Sequence, residues 1–195
     1  MSKNTCYKIF KFVLGPIFKF YYKPKFIGIE NIPADGPILV VGNHIHLMDQ
    51  CLPILSTKRV INYMAKKEYF DNKKVAWFFK SAGCISVDRS KKDDAAVQSA
   101  LEVLNSGGAI GLFPEGTRNK TDKLLLDFKF GAVSMANKTN AYLVPFGISG
   151  KYKFRSGVTV EFGKPFKVKN KDLESANKKL KKEVERLILK NEKDN

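Results

Sequence analysis

Histidine is almost absent from this chain. Two of its 195 residues are histidine, His44 and His46, standing two apart in "VVGNHIHLMDQ" with Asp49 close behind. A zinc centre draws three or four ligands from His, Cys and carboxylates. Asp49 lies one position too far for an H-x-H-x-D-H metallohydrolase pattern, and Gln50 stands where the next histidine would be. No metal is therefore expected. Cysteine is equally scarce. Cys6, Cys51 and Cys84 are odd in number and lack paired spacing, which excludes a disulfide scaffold and suits a reducing cytoplasm. No apolar run approaches the roughly 20 residues a spanning helix needs. The N-terminal run Phe12–Phe18 is bounded by Lys11 and Lys19, and no small-residue cleavage site follows it, so a signal peptide is not expected. Internal repeats and long linkers are missing too, which leaves one domain with small appendages.

Acidic residues are in deficit, 19 against 35 Lys and Arg, for a formal charge of +16. Such an excess attracts nucleic acid, an anionic membrane or phosphorylated substrates. Its distribution chooses among them. Residues 1–27 hold six lysines and no acid, whereas 28–163 hold eighteen basic and thirteen acidic residues. The body is mildly basic and carries no nucleic-acid motif, so no nucleic-acid partner is expected. The opening stretch, residues 1–26, alternates Phe, Tyr and Ile with Lys. This mixture suits the membrane interface, where aromatic rings sit at headgroup depth and lysines meet anionic lipid. Pro16 is expected to split any helix there into two pieces.

The remainder, 27–195, reads as strands alternating with helices. Ile38–Val41 is a continuous apolar run ending at Gly42–Asn43, as in a buried parallel strand. "RVINYMAK", "CISVDR", "AIGLFPEGTR", "AYLVPFGISG" and "VTVEFGKPF" are further strands. "KKVAWFFKSAG" should be helical, with Trp77 and Phe78 buried. In "DDAAVQSALEVLN", Val97, Ala100, Leu101 and Leu104 fall on one helical face, with an aspartate cap before them and Gly107–Gly108 after. "FKFGAVSMANKT" and the tail from Asp172 to Leu189 are also helical. The fold class is α/β: a single layered domain with a largely parallel central sheet flanked by helices, preceded by an amphipathic helical membrane-contact segment. His44 with Asp49, Lys66, Asp88–Arg89 and Glu115–Arg118 then all follow strands. In a parallel sheet those ends share one edge, where ligands bind.

Taken alone, "NHIHLMD" leaves three readings open: a metal site, a base with its orienting acid, or a polar loop. The second motif, "LFPEGTRN", places Glu115 and Arg118 on a turn after a strand, and Gly116 permits close backbone approach. A guanidinium there can grip a phosphate with two parallel hydrogen bonds. Together "NHIHLMD", "GCISVDR", "FPEGTRN", "FKFGAVSMA" and "LVPFGISG" resemble, in order and spacing, the motif blocks of the glycerolipid acyltransferases of the lysophosphatidic acid acyltransferase type. The resemblance runs from about Asn43 to Gly150, over half the chain, and "FPEGTRN" carries most of its specificity.

The resemblance implies a reaction. An acyl group passes from a thioester of acyl carrier protein or coenzyme A to the free hydroxyl of 1-acyl-sn-glycerol 3-phosphate, giving phosphatidic acid for phospholipid synthesis. No cofactor is needed beyond that co-substrate. A thioester is already activated, so the enzyme must chiefly supply a base. His44 takes that role, and Asp49 fixes its tautomer, the substrate hydroxyl replacing the serine of a hydrolase triad. Arg118, Arg89 and Lys66 are the expected phosphate ligands. Glu115 would orient glycerol hydroxyls or hold Arg118, and Gly116 would help position the substrate, backbone N–H groups near it serving the oxyanion. Membrane lipids, lysophosphatidic acid and the acyl donor are the expected partners, and the cytoplasmic face of the cell membrane the expected peripheral location. Two alternatives stay open: a superfamily acyltransferase acting on glycerol 3-phosphate or another lysolipid, and a non-catalytic basic membrane-binding module.

Overall fold

A computed structural model describes residues 3–88, 90 and 93–193. In chain order the elements are helix α1 (Lys3–Tyr22), strand β1 (Lys25–Ile27), a 3-10 turn (Ile29–Asn31), β2 (Ile38–Gly42), α2 (Cys51–Ser56), β3 (Ile61–Lys66), α3 (Lys67–Asp71), α4 (Ala76–Ser81), β4 (Ile85–Val87), α5 (Asp94–Asn105), β5 (Ala109–Leu112), α6 (Gly131–Thr139), β6 (Tyr142–Ser149), β7 (Thr159–Phe162) and α7 (Leu173–Lys193). The strands form one sheet in the order β1-β7-β6-β2-β5-β3-β4. Every neighbouring pair is parallel except β6 with β7.

Strand periodicity builds both layers. Leu39 and Val41 of β2 face a core formed with Ala100 and Leu104 of α5, Val133 and Ala136 of α6, and Leu180, Val184 and Ile188 of α7. Ile38 and Val40 face the opposite core, with Leu52 of α2, Phe146 and Ile148 of β6, Phe162 of β7 and Phe18 of α1. The face expected along α5 is the one that packs: Ala100 and Leu104 are buried together with Ala96, and Val97 and Leu101 lie partly buried against the same core. Its cap is Asp93, whose Oδ1 accepts from the Ala96 N–H at 3.0 Å.

Two expectations are corrected. Pro16 does not divide α1, which runs unbroken through it. Proline removes the bond to the Phe12 carbonyl, but Phe12 is 82% exposed, so water can take that carbonyl's place. The inner face of α1 is meanwhile held by buried Tyr7 and Phe18, and by Gly15, where a Cβ would lie 2.8 Å from Leu55. Trp77 is not buried but 58% exposed; Phe10 of α1 instead packs edge-on against Phe78. Lys25–Ile27 form β1, and Phe18 of α1 packs into the core beneath the sheet, so α1 leans on the body.

Candidate active site

β2 ends at Gly42, where any side chain would strike Phe146. The next residue, Asn43, locks the strand end to its neighbour. Its buried side chain donates to the Ile148 carbonyl (2.9 Å) and accepts from the Ile148 N–H (2.7 Å). From this anchored point the chain turns through His44–Asp49, and Asp49 folds back on the turn that precedes it. Its Oδ2 lies 2.7 Å from His44 Nδ1 and accepts the Ile45 and His46 N–H groups at the same distance. The Tyr152 hydroxyl donates to Oδ1, also at 2.7 Å. Asp49 is wholly buried, so these bonds replace its water. A carboxylate only accepts, so the contact is one in which Nδ1 of His44 is the donor. The imidazole is 18% exposed and stacks on Phe113, centroid to centroid 4.1 Å. His44 and Asp49, expected from sequence to act as a pair, are therefore in hydrogen-bond contact.

The two motifs meet, as strands ending on one edge require. The His44 N–H donates to Glu115 Oε1 (2.8 Å), and the Asn119 N–H donates to the His44 carbonyl (2.7 Å). Glu115 Oε2 accepts the Leu126 N–H at 2.8 Å. Glu115 is buried, and each of its oxygens accepts one backbone N–H; it ties the His44 turn to the segment leading into α6. Gly116 is required where it stands, with φ +74° and Lys129 against the position a Cβ would take. Its N–H donates to the Phe113 carbonyl (3.0 Å) and so is not aimed at an oxyanion.

The cations differ from one another. Arg118 is exposed on the Glu115 turn, and among the described residues no carboxylate pairs with it. Lys66 ends β3 as expected, but its ammonium bonds Glu68 (3.0 Å). Arg89 lies outside the described residues. Lys129 was not singled out by sequence. Its side chain lies across Gly116, bringing a cation to the turn that carries Arg118, and the lysine of "FKFG" was the available signal. Tyr152 carried no signal at all, being one aromatic in a polar loop 103 residues from Asp49. Burial first, and then the charge of Asp49, push its phenol far above the ordinary range, so it donates rather than ionises. The same causes push the Cys51 thiol up to about 11. His46 bonds Asp49 through its backbone and stacks its ring on Tyr152 at 4.2 Å. No group of three or more His, Cys, Asp or Glu among the described residues is arranged to hold a metal ion.

An acyltransferase family model matches residues 23–149. The 1-acyl-sn-glycerol-3-phosphate acyltransferase of Bacillus subtilis is 35% identical over 133 residues, 66% of this chain and 65% of that protein. The chloroplastic 1-acyl-sn-glycerol-3-phosphate acyltransferase LPAT1 of Arabidopsis thaliana is 31% identical over 136 residues, 68% of this chain and 38% of that protein. The chain thus spans less than two thirds of the length of these curated relatives. The crystal structure of the 1-acyl-sn-glycerophosphate (LPA) acyltransferase PlsC from Thermotoga maritima is similar with a TM-score of 0.70 at 29% identity, over 90% of this chain and 78% of that one. The matched stretch holds both the His44–Asp49 pair and the Glu115–Arg118 turn bonded to it, and the chain belongs to the acyltransferase family.

Proposed function

We propose that the protein transfers a fatty acyl group from an acyl thioester, carried by acyl carrier protein or coenzyme A, to the free hydroxyl of 1-acyl-sn-glycerol 3-phosphate, forming phosphatidic acid. One observation carries the reading: Asp49 Oδ2 lies 2.7 Å from His44 Nδ1, which leaves Nε2 as the ring nitrogen that can face an acceptor hydroxyl. As the acceptor oxygen attacks the thioester carbonyl, Nε2 takes its proton. The tetrahedral adduct then expels the thiolate, which leaves as thiol with the proton returned by the imidazolium. Asp49, buried and anionic, orients the ring and offsets its transient charge. Arg118, on the Glu115 turn bonded to His44, and Lys129, lying across Gly116 of that turn, supply two cations for the acceptor's phosphate. The names of the relatives support the same acceptor.

The outer face of α1 supports a membrane location, at the cytoplasmic face of the cell membrane. Ile9, Phe12, Val13, Ile17 and Phe20 are exposed on a helix with no acidic residue, beside Lys8, Lys19 and Lys23. An apolar patch with a cationic rim fits anionic lipid. No helix among the described residues is long and apolar enough to cross a membrane. The test is to incubate purified protein with acyl-CoA or acyl carrier protein thioester and, separately, 1-acyl-glycerol 3-phosphate, glycerol 3-phosphate and neutral lysolipids. Phosphatidic acid formed in preference to the other products is expected. Acylation of another acceptor while lysophosphatidic acid is ignored would overturn the assignment.

A further inference from the structure

We infer that Tyr152 is a positioning residue for the reaction, the third link of a chain His44–Asp49–Tyr152 that ties the base to the membrane-facing helix α1. The inference rests on the acyl-transfer reading of His44.

The Asp49 carboxylate has two oxygens with different duties. Oδ2 is shared among His44 Nδ1 and two backbone N–H groups of its own turn. Those three bonds are local and would form wherever the turn pointed. Oδ1 accepts from the hydroxyl of Tyr152, in the connection between β6 and β7. This bond fixes the rotation of the carboxylate about its Cβ–Cγ axis relative to the sheet, and with it the plane in which the imidazole lies. Burial keeps the phenol a donor throughout the working pH range.

Tyr152 is itself held from two sides. Its ring stacks on His46 at 4.2 Å and 18°, and it meets Tyr22, the last residue of α1, edge-on at 5.3 Å and 79°. The loop that carries it is joined to the same helix end by backbone. The Arg155 N–H donates to the Tyr21 carbonyl (2.6 Å) and the Gly157 N–H to the Tyr22 carbonyl (3.1 Å). These two carbonyls belong to the last turn of α1, where no further helical N–H follows to take them. Phe154 packs on Tyr21 at 5.3 Å, and the Arg155 guanidinium lies over Phe20 at 5.7 Å. The end of α1 and residues 151–157 thus form one packed unit. A shift of α1 on the lipid surface moves the tyrosine that sets Asp49.

The experiment uses the full chain with acyl-CoA and a short-chain, monomeric lysophosphatidic acid, so that vesicle docking does not enter. Wild type and Tyr152→Phe are compared for kcat, acceptor KM and thermal midpoint. Phenylalanine keeps both ring contacts and removes the hydroxyl. Loss of a hydrogen bond to a charged group predicts a kcat lower by roughly ten- to a hundredfold, with KM changed less than about twofold. A kcat within twofold of wild type overturns the inference, as does a loss that merely tracks the unfolded fraction. Tyr22→Ala keeps the phenol but removes the ring it leans on. It should lower kcat about threefold to tenfold, and if Tyr152→Phe fails to fold, an unchanged kcat in Tyr22→Ala overturns the inference instead. Failure of wild type to acylate any acceptor would count against the reading of His44, a result distinct from both.

Discussion

Replacing Glu115 by glutamine is a severe test of how the site is held together. The side chain keeps its volume, so no cavity opens, and what changes is hydrogen bonding alone. Glu115 is 4% exposed and accepts two backbone N–H groups, from His44 and Leu126, at 2.8 Å each. Glutamine offers one acceptor oxygen and one NH2, so one of these N–H groups must face a donor. Leaving a buried donor unsatisfied costs about 1–3 kcal/mol, and the surviving bond loses its charge assistance. The sum is about 3 kcal/mol. For a domain of this length each kcal/mol moves the thermal midpoint about 2–4 °C, giving a fall of roughly 6–12 °C. Differential calorimetry measures the midpoint, and steady-state kinetics measure kcat, which should fall because the His44 backbone loses its anchor. If the midpoint is unchanged while acceptor KM rises, Glu115 holds substrate and the structural account of it is wrong.

Three further outcomes follow from the same geometry. Arg118→Ala and Lys129→Ala should each raise acceptor KM about tenfold or more without moving the thermal midpoint, since both side chains are exposed; unchanged KM in both would remove them from phosphate binding. Burial holds the Cys51 and Cys84 thiols at about 11, above their ordinary 9.0, so the folded chain keeps protons that the unfolded chain has already lost at that pH. Stability should therefore be intact below about pH 9 and fall as pH rises toward 11, and a flat urea midpoint across that window would contradict it. Phe12→Asp combined with Phe20→Asp should weaken binding to anionic vesicles at least tenfold while leaving the fold unchanged; undiminished binding would refute α1 as the docking face.

Much of this architecture was legible in the residues. Ile38–Val41 reads as a buried strand because its branched apolar run is bounded by turn residues, and the helical spacing in the tail reports α7 because one face alone meets the sheet. The meeting of His44 with Asp49 was legible because a five-residue separation is closed by a single turn. The backbone ties of Glu115 were not legible, for a physical reason. Its partners are backbone N–H groups, which every non-proline residue owns, so no residue type announces them. Tyr152 reaches Asp49 only because β6 lies beside β2, a pairing that local pattern does not encode. Pro16 and Trp77 were misjudged because both rules weigh the residue and ignore its surroundings. An exposed helix face lets water serve the carbonyl that proline strands, and α4 turns its tryptophan outward.

The central claim is that His44 is the base of an acyl transfer, and His44→Ala tests it most directly. With acyl-CoA and lysophosphatidic acid, kcat should fall at least a hundredfold, the range that a positioned general base contributes. Vesicle binding and thermal midpoint should stay near wild type, because among the described residues the imidazole's one polar partner is Asp49 and the turn keeps its backbone bonds. Turnover equal to wild type in that folded, membrane-bound variant would contradict the account.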